Sequence, residues 1–382
     1  MVYLTVMQSP MYHQMTLEEF LFQTETAPAL VTANTANTRT YQLDRISYPL
    51  RQKLGLDVVK LIRCLRDFNT STEVLRSADR HSLYNTFYIP KAHGGFRRID
   101  APNDDLMNAL RTLKTLFETE FHALYHTSAF AYVRHRSTID AVKRHQQNES
   151  RWFGKYDLHN FFGSTTLPFV MNMFSMIYPF SEVVQNPHGR EELERALELA
   201  FLDGVLPQGT PISPLITNVM MIPVDYKLAN SLRDFQRQRF VYTRYADDFL
   251  VSSRYTFSYR AVENHIVETL SSFGAPFSIN REKTRYGSSA GRNWNLGVML
   301  NEHNEITVGY QNKRRFQAAL TSFVRDTQAG NLWPLEEVQR LEGMRNYYHM
   351  VEGDKITQLV SYVSQKMGVD IPAMMKQQLR VV

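Results

Sequence analysis

The sequence of 382 residues contains a single cysteine, Cys64, and this scarcity excludes two kinds of cross-link. One thiol cannot form an intramolecular disulfide, and it cannot supply the ligands of a cysteine zinc site. Cys64 lies in a segment with helical periodicity, residues 58–67, where a buried thiol is expected. The chain is therefore expected to depend on an apolar core rather than on cysteine chemistry.

Long apolar runs are also missing. The most apolar stretch, residues 167–184, is interrupted by polar side chains and a proline, so it does not predict a membrane span. The amino terminus has no basic segment followed by a long apolar run, so it predicts no signal peptide. Together these absences predict a cytoplasmic protein that does not use a membrane.

Charge of either sign is moderate but unevenly distributed. The net charge is +5, and residues 85–155 hold eleven Lys and Arg against seven Asp and Glu, so +4 of the excess lies there. Charged residues make up 21% of the chain and hydrophobic residues 43%, which is typical of a folded protein. The local basic excess is compatible with nucleic acid as a partner, and charge alone does not decide the point.

Two adjacent carboxylates, Asp247 and Asp248, stand inside an otherwise apolar and aromatic stretch, FVYTRYADDFLVSS at 240–253. Its flanks are rich in Phe, Val and Tyr, which predicts two strands of a hairpin with the acidic pair at the turn. Adjacent carboxylates repel each other and resist burial, so a bound cation is the usual remedy. A solvated turn is the alternative interpretation of the same pair.

A further carboxylate, Asp157, stands near the end of a predicted strand in KYDLHNFFGS at 155–164. An aromatic pair and a turn follow, and an apolar helix is predicted from Leu167. A carboxylate that leaves a buried strand beside aromatic rings is unusual for packing alone, and oxygen ligands suit hard cations. A turn or capping role for Asp157 is the alternative.

Cations are grouped around a predicted glycine turn. Gly94 and Gly95 follow a predicted strand and predict a hairpin, whose two arms would bring Lys91, Arg97 and Arg98 together. Cations on such a hairpin are well placed to hold a triphosphate. A solvated basic turn explains the same residues.

Two more segments could contact a ligand. The proline- and glycine-rich loop at 206–215 contains Gln208 and Gly209, where the missing Cβ lets the backbone approach a ligand closely. The segment AFAYVRHRSTIDA at 129–141 mixes aromatic residues with arginines, including Arg136, as a groove for a nucleic-acid strand does. A partly buried helix start explains the second segment equally well.

In this order the segments resemble the motifs of reverse transcriptases, over residues 87–300. The order is more specific than any single motif, because six matches follow one another along more than half of the chain. The matching segments are IPKAHGGFRRI at 89–99 (the fingers hairpin), KYDLHNFF at 155–162 (the first acidic motif), LPQGTPISP at 206–214 (the templating-helix motif), YADD at 245–248, NREKT at 280–284 (the lysine motif) and LG at 296–297 (the primer-grip region).

The resemblance implies an α+β fold, a right-hand polymerase with fingers, a palm of antiparallel sheet packed on helices, and a short helical thumb. The implied divisions are a helical amino-terminal region at 1–75, fingers at 76–150, a palm at 151–300 that includes fingers insertions, and a helical thumb at 301–382. The segment RLEGMRNYY at 340–348 is similar to a thumb helix of bacterial retron and group II intron enzymes.

The resemblance also implies RNA-directed DNA polymerisation with two divalent cations about 3.5–4 Å apart. Asp157 and Asp247 are the implied ligands shared by the Mg²⁺ ions, for which Mn²⁺ could substitute; Asp248 is peripheral, and the Leu158 carbonyl is a further ligand. The resemblance implies a triphosphate clamp at Lys91 and Arg97, with Arg98 beside it, and assistance to pyrophosphate departure by Lys283. It implies a steric gate against ribose at Phe162 and a nucleotide pocket at Gln208 and Gly209. The implied template or primer contacts are Arg136, Tyr245 and Gly297.

Within the family, the chain resembles the bacterial retron and group II intron lineage. The retron signatures Asn-Ala-x-x-His and Val-Thr-Gly have only approximate counterparts, DAVKRH at 140–145 and ITVG at 306–309. This departure favours a defence-associated (phage-resistance) enzyme that copies a co-encoded noncoding RNA. The implied partners are the RNA template, the DNA product and dNTPs; a protein partner or a second copy of the chain stays open.

Three other functions fit parts of the pattern. An RNA-dependent RNA polymerase shares the palm but commonly has Gly-Asp-Asp and a polar residue at the position of Phe162. The same palm could make DNA without a template or from a protein primer. A non-catalytic RNA-binding module is the third alternative, and it is disfavoured because the three carboxylates and the clamp cations are all present.

Overall fold

The structure, a computed structural model, describes residues 57–91, 94–121, 123–235, 238–289 and 297–380. Most of the predicted amino-terminal region, and Leu296 of the primer-grip motif, lie outside these ranges. In chain order the elements are α1 (Val58–Ser71), α2 (Glu73–Ser77), β1 (Tyr84–Pro90), β2 (Phe96–Pro102), α3 (Asp104–Leu116), α4 (Thr138–Gln147), β3 (Trp152–Asp157), α5 (Leu167–Phe174), α6 (Phe180–Gln185), α7 (Pro187–Glu198), α8 (Ser213–Met220), α9 (Ile222–Asp234), β4 (Val241–Tyr245), β5 (Asp248–Ser253), α10 (Tyr259–Ser272), β6 (Arg285–Ser288), β7 (Met299–Leu300), β8 (Ile306–Thr307), α11 (Tyr310–Gln328), α12 (Leu335–Glu352), α13 (Asp354–Met367) and α14 (Ile371–Gln378).

The predicted fingers hairpin is formed by β1 and β2, which pair in one continuous antiparallel register. Gly94 and Gly95 make the turn with φ of 90° and 76°, a region that residues with a Cβ rarely adopt. At the base of the hairpin the Asp100 N–H donates to the Gln208 carbonyl at 2.7 Å. The hairpin is therefore attached directly to the loop that precedes α8.

Helices begin where the local sequence caps them. Asn103 accepts a hydrogen bond from the N–H of Leu106 at the start of α3. Ser137 and Asp140 form a complete capping box at the start of α4, which confirms the helix start that was one interpretation of residues 129–141. These caps satisfy amides that would otherwise lack partners in the first turn.

The central sheet has the strand order β4-β5-β3-β6, and all its pairs are antiparallel. Successive side chains point to opposite faces. Tyr156 and Phe249 enter the main hydrophobic core, together with apolar residues of α10, whereas Leu250 joins a smaller cluster on the other face. Asp157 and Asp248 alternate with Tyr156 and Phe249, so both carboxylates lie on the second face.

The carboxyl-terminal helices α11 to α14 surround a separate core that includes Phe316, Leu320 and Phe323. A small cluster connects this unit to the palm: Leu250 of β5 packs with Val298 beside β7, and Tyr347 of α12 packs against them. The helical thumb thus approaches the same face of the sheet that carries Asp157.

These elements confirm the predicted α+β class. Within the described ranges, no helix is long and apolar enough to cross a membrane. Cys64 lies in α1 but is only half-buried, so its predicted burial is incomplete.

Candidate active site

The acidic site forms at the end of the β3–β5 pair. In the antiparallel register Asp157 lies directly opposite Asp248, although 91 positions separate them in sequence. Asp247 occupies the turn between β4 and β5, and its carbonyl accepts the Leu158 N–H at 3.1 Å. Asp157 is only 7% exposed. Three carboxylates therefore lie together at one end of the two central strands; the predicted hairpin supplies Asp247 and Asp248, and the β3–β5 pairing adds Asp157.

A buried network holds the acidic turn in shape. Ala246 has φ of 56°, and its carbonyl accepts a hydrogen bond from Arg244 Nη1 at 3.1 Å. The Arg244 guanidinium also makes two bonds to Asp225, at 2.8 and 2.7 Å, and one to Asn218 at 2.9 Å. Arg244 and Asp225 are fully buried, and Tyr242 donates to the same carboxylate. Sequence reasoning missed this network; its signal was an arginine inside an apolar strand.

Burial makes the acidic site costly without a cation. Desolvation raises the pKa of Asp247 to about 6, and the negative charges of Asp248 and Asp157 add to the rise. Desolvation also raises the pKa of Asp248, against the opposing effect of Lys155, whose Nζ lies 2.8 Å from Asp248 Oδ2. The other oxygen, Asp248 Oδ1, is buried and has no hydrogen-bond partner among the described residues.

Lys283 supplies a second positive charge to the site. Its Nζ donates to Asp157 Oδ1 at 2.9 Å, while its side chain remains 63% exposed. The turn that carries it is anchored where the Asn280 N–H donates to the Asp157 carbonyl at 2.8 Å. The lysine motif and the first acidic motif are therefore in direct contact.

The donor set suits Mg²⁺ bound jointly with a substrate. Among the described residues, no three carboxylate, imidazole or thiolate groups form a ready-made cage. Mg²⁺ is usually held by one or two carboxylates together with phosphates and water, which this arrangement can provide. The unpartnered oxygen of Asp248 and the raised pKa of Asp247 are the features that a cation would relieve.

The loop at Gln208 and Gly209 joins the palm to the fingers. Gly209 has φ of 118°, and a Cβ there would lie 2.9 Å from the Asp100 carbonyl oxygen. Only glycine permits this approach without displacement of the backbone. The predicted nucleotide-pocket residues thus sit at the base of the fingers hairpin.

A family model described as reverse transcriptase (RNA-dependent DNA polymerase) matches residues 89–315, more than half of the chain. The chain belongs to the reverse transcriptase family. It is similar to the retron Ec73 reverse transcriptase of Escherichia coli, with 28% identity over 224 residues that cover 58% of this chain and 68% of that protein. The retron Ec83 reverse transcriptase of Escherichia coli is 26% identical over 282 residues, 73% of this chain and 86% of that protein.

A third relative is the retron Mx162 reverse transcriptase of Myxococcus xanthus, 26% identical over 333 residues that cover 80% of this chain and 64% of that protein. These similarities confirm the predicted retron-like lineage, despite the approximate signatures at 140–145 and 306–309. A telomerase structure from Candida tropicalis overlaps 77% of this chain and 59% of its own at a TM-score of 0.45 and 12% identity, which adds nothing to the assignment.

In this reverse transcriptase the predicted clamp residues differ in how they are held. Lys91 and Arg97 are exposed on the hairpin. Arg98 instead donates to Asp100 at 2.8 Å and lies 3.9 Å from Asp203. Lys91 and Arg97 are therefore free of ion pairs among the described residues, whereas Arg98 braces the hairpin.

Phe162 lies on a single helical turn, five residues after Asp157. Its ring is partly buried and meets the edge of Phe161 at a centroid distance of 5.7 Å. Phe161 is buried against Phe277, so it supplies a fixed backing for the Phe162 ring. A ring held in this way suits the predicted steric gate.

Arg136 is committed to the protein itself. Its Nη1 donates to the carbonyls of His126 and Ala129, each at 2.6 Å, and burial lowers its pKa to about 10. The structure thus gives Arg136 a bracing role in the loop before α4. A template contact by this side chain stays a prediction.

The two predicted primer contacts flank the catalytic face. Tyr245 pairs with Asp248 across the β4–β5 hairpin and is half-buried. Gly297 is exposed, with φ of 88°, and a Cβ there would lie 3.6 Å from the Tyr347 hydroxyl of α12. Tyr245 therefore lies beside the acidic turn, and Gly297 lies beside α12.

Tyr132 is a candidate that sequence reasoning did not single out. It is 54% exposed and adopts φ of 57°, which is uncommon for an aromatic residue. Partial burial raises the pKa of its phenol, the charge of Asp247 adds to the rise, and Arg97 opposes it. The charges of Asp247 in the acidic turn and Arg97 in the fingers hairpin therefore both act on the Tyr132 phenol.

Proposed function

We propose that this reverse transcriptase adds dNTPs to a primer with two Mg²⁺ ions held by Asp157 and Asp247, for which Mn²⁺ can substitute. The observation that carries the proposal is the β3–β5 register, which sets Asp157 beside the acidic turn. The proposal adds the Leu158 carbonyl as a further ligand and gives Asp248, already paired with Lys155, a supporting role.

Bound cations would neutralise phosphate charge and make the primer hydroxyl more acidic. Lys283 is mostly exposed, so it can leave Asp157 when a cation arrives and direct its charge to the departing pyrophosphate. Lys91 and Arg97 would hold the triphosphate from the hairpin. These cations act by position and charge, which is most of what phosphoryl transfer requires of a protein.

The remaining predicted residues would shape the nucleotide pocket. Gln208 and Gly209 lie where the palm loop meets the fingers, so a nucleotide there would touch both parts. Phe162 would exclude the ribose 2′-hydroxyl by its ring. Tyr245 and Gly297 would contact the primer strand.

Primer extension on a defined RNA template tests the proposal. We expect incorporation from dNTPs with Mg²⁺, and we expect Asp247→Asn to reduce it by about 10³-fold or more, because a shared ligand is lost. Asp67→Asn is the matched control, since Asp67 is exposed on α1. Undiminished activity in Asp247→Asn would remove the metal assignment.

The same assay distinguishes the competing functions. A preference for rNTPs over dNTPs would indicate an RNA polymerase. Products whose sequence is unrelated to the supplied RNA would indicate template-independent synthesis, and products covalently attached to the protein would indicate protein priming. Binding of RNA without incorporation would leave only the RNA-binding module.

We further propose that the template is a dedicated noncoding RNA and that the DNA product serves antiviral defence in the cytoplasm. The similarity to retron reverse transcriptases supports this proposal. Sequencing the nucleic acid that copurifies with the protein from its host tests it, and one abundant RNA species is expected. A random sample of cellular RNA would contradict it; a protein partner or a second copy of the chain would appear in the same purification.

A further inference from the structure

A cleft of 870 Å³ opens between the first turns of α10 and the segment that leads into β6. Three arginines line it, Arg260, Arg281 and Arg285, with one carboxylate, Glu263, so three positive charges minus one negative charge leave a net +2. The volume is that of a ligand pocket. The positive charge of the cleft favours an anionic ligand.

One wall of the cleft is aromatic. The rings of Tyr259 and Tyr286 stack 5.5 Å apart at 27°, and Tyr286 stacks in turn on Trp152 at 5.6 Å and 21°. The Tyr286 hydroxyl is fixed by the Phe257 N–H, which donates to it at 3.0 Å. A rigid ladder of rings beside positive charge is the combination that holds unpaired nucleic-acid bases.

Each arginine is held by one or two hydrogen bonds that leave further N–H donors of its guanidinium available. Arg281 Nε donates to Glu263 at 2.8 Å, yet the Arg281 side chain is 80% exposed. Arg260 Nε donates to the Tyr259 hydroxyl at 3.3 Å, and Arg285 Nη1 donates to two main-chain carbonyls of its own turn. Their other guanidinium nitrogens make no hydrogen bond to any residue that the structure describes. Oriented donors of this kind match phosphate oxygens.

One turn connects the cleft to the acidic site. Its two flanking residues face Asp157, because the Asn280 N–H donates to the Asp157 carbonyl and Lys283 reaches the carboxylate. Arg281, between them, reaches Glu263 on α10 instead. Since α10 packs on the face of the sheet opposite the carboxylates, the cleft lies around the β6 edge from the candidate active site.

We propose that this cleft binds a single strand of nucleic acid outside the duplex held by the palm, with phosphates on Arg260, Arg281 and Arg285 and a base against Tyr259. Arginine charge and stacked rings favour a strand with bases over an acidic peptide, which would use the charge alone. The strand is template RNA or product DNA; both share this chemistry. The subsite does not depend on the proposed metal mechanism, because binding precedes chemistry.

Equilibrium binding of RNA–DNA duplex probes to the full chain tests the proposal, in EDTA and without dNTPs, by fluorescence anisotropy. One probe is blunt, one carries an RNA overhang and one a DNA overhang. The test variant is Arg260→Glu, which places a carboxylate in the first turn of α10, where the helix dipole favours it, so the fold is retained. Arg63→Glu is the matched control, an exposed arginine on α1. Arg285→Gln is a second test variant that keeps a donor.

We expect Arg260→Glu to weaken binding of one overhang probe by about tenfold and to make its log–log salt slope shallower by about 0.7, the value for one lost phosphate on a single strand. Binding of the blunt probe should change as little as in Arg63→Glu. The overhang affected identifies the strand as RNA or DNA. Equal losses on blunt and overhang probes, or no loss on either overhang, would overturn the proposal. Poly-glutamate is a further competitor for the native chain. If it displaced the overhang probe as well as a single strand of nucleic acid does, the proposal would be overturned in favour of an acidic peptide.

Discussion

Asp157 and Asp248 are directly opposite each other in the β3–β5 ladder, and each carboxylate is paired with a lysine, Lys283 for Asp157 and Lys155 for Asp248. Asp247, in the adjoining turn, has no such partner among the described residues and carries the pKa that is raised to about 6. The site therefore stores unfavourable charge mainly at Asp247, which is where a cation would bring the largest relief.

Because the Asp247 carboxylate is mostly buried and has no ion-pair partner among the described residues, we expect its replacement by a neutral side chain to stabilise the folded chain. Because burial raises the folded-state pKa above its ordinary 3.8, ionisation of Asp247 costs more free energy in the folded chain than in the unfolded chain. The cost of ionisation is absent below about pH 4, appears as pH rises through about 6, and is fully present above it. In metal-free buffer at pH 7.5, Asp247→Asn should raise the free energy of unfolding by about 1–2 kcal/mol, a value reduced for partial exposure.

Urea unfolding in EDTA at pH 7.5 and pH 4 measures this difference. The gain should largely vanish at pH 4, because Asp247 is protonated in the folded chain there and only partly ionised in the unfolded chain, whose pKa is the ordinary 3.8. Asp67→Asn serves as the control and should show no such dependence. A gain of equal size at both pH values would contradict the electrostatic origin.

The pairing of Lys155 with Asp248 predicts strong coupling between them. Lys155→Met leaves a mostly buried carboxylate without its ion-pair partner, so we expect a loss of about 1–3 kcal/mol in the free energy of unfolding. Asp248→Asn in the same chain should recover most of that loss. Denaturant titration of both single variants and the double variant gives the coupling energy. If the losses of the two single variants simply added in the double variant, the ion pair would contribute nothing to stability. Lys155→Arg keeps the positive charge and should be as stable as the native chain.

The backing of Phe162 by Phe161 predicts a test of sugar selectivity. Phe162→Ala opens space beside the nucleotide without removing a buried ring, so ribonucleotide use should rise by about 10–100-fold relative to deoxynucleotide use. Competition between dNTPs and rNTPs in primer extension measures the ratio. Phe162→Tyr keeps the ring and should keep the preference. Unchanged selectivity in Phe162→Ala would remove Phe162 from the gate.

The fully buried contact between Arg244 and Asp225 predicts a large structural effect. Arg244→Met leaves the Asp225 carboxylate buried without its cation, which should cost about 3–5 kcal/mol of stability. Circular dichroism during urea unfolding measures the loss. Arg239→Met, an exposed arginine nearby, is the control and should be close to neutral. If Arg244→Met were as stable as the control, the network would not support the acidic turn.

Local elements were predictable because short-range chemistry decides them. The turn at Gly94 and Gly95, the capping box at Ser137 and the apolar face of α3 each depend on residues a few positions apart. The acidic hairpin follows from its aromatic flanks. Placement of Arg136 was not predictable, because its acceptors are backbone carbonyls whose positions depend on the folded loop.

The sequence by itself determined the reaction family and its candidate residues, because the acidic, basic and glycine-rich motifs occur in one order and each motif is local. The tertiary structure alone decided which charges meet. The register of β3 with β5 opposes Asp157 to Asp248, and the fold brings Lys283, Lys155 and the arginines of the cleft to their partners. Such contacts join positions that are far apart in the chain. No local sequence pattern sets the distance between these side chains; the packing of the sheet against its helices sets it.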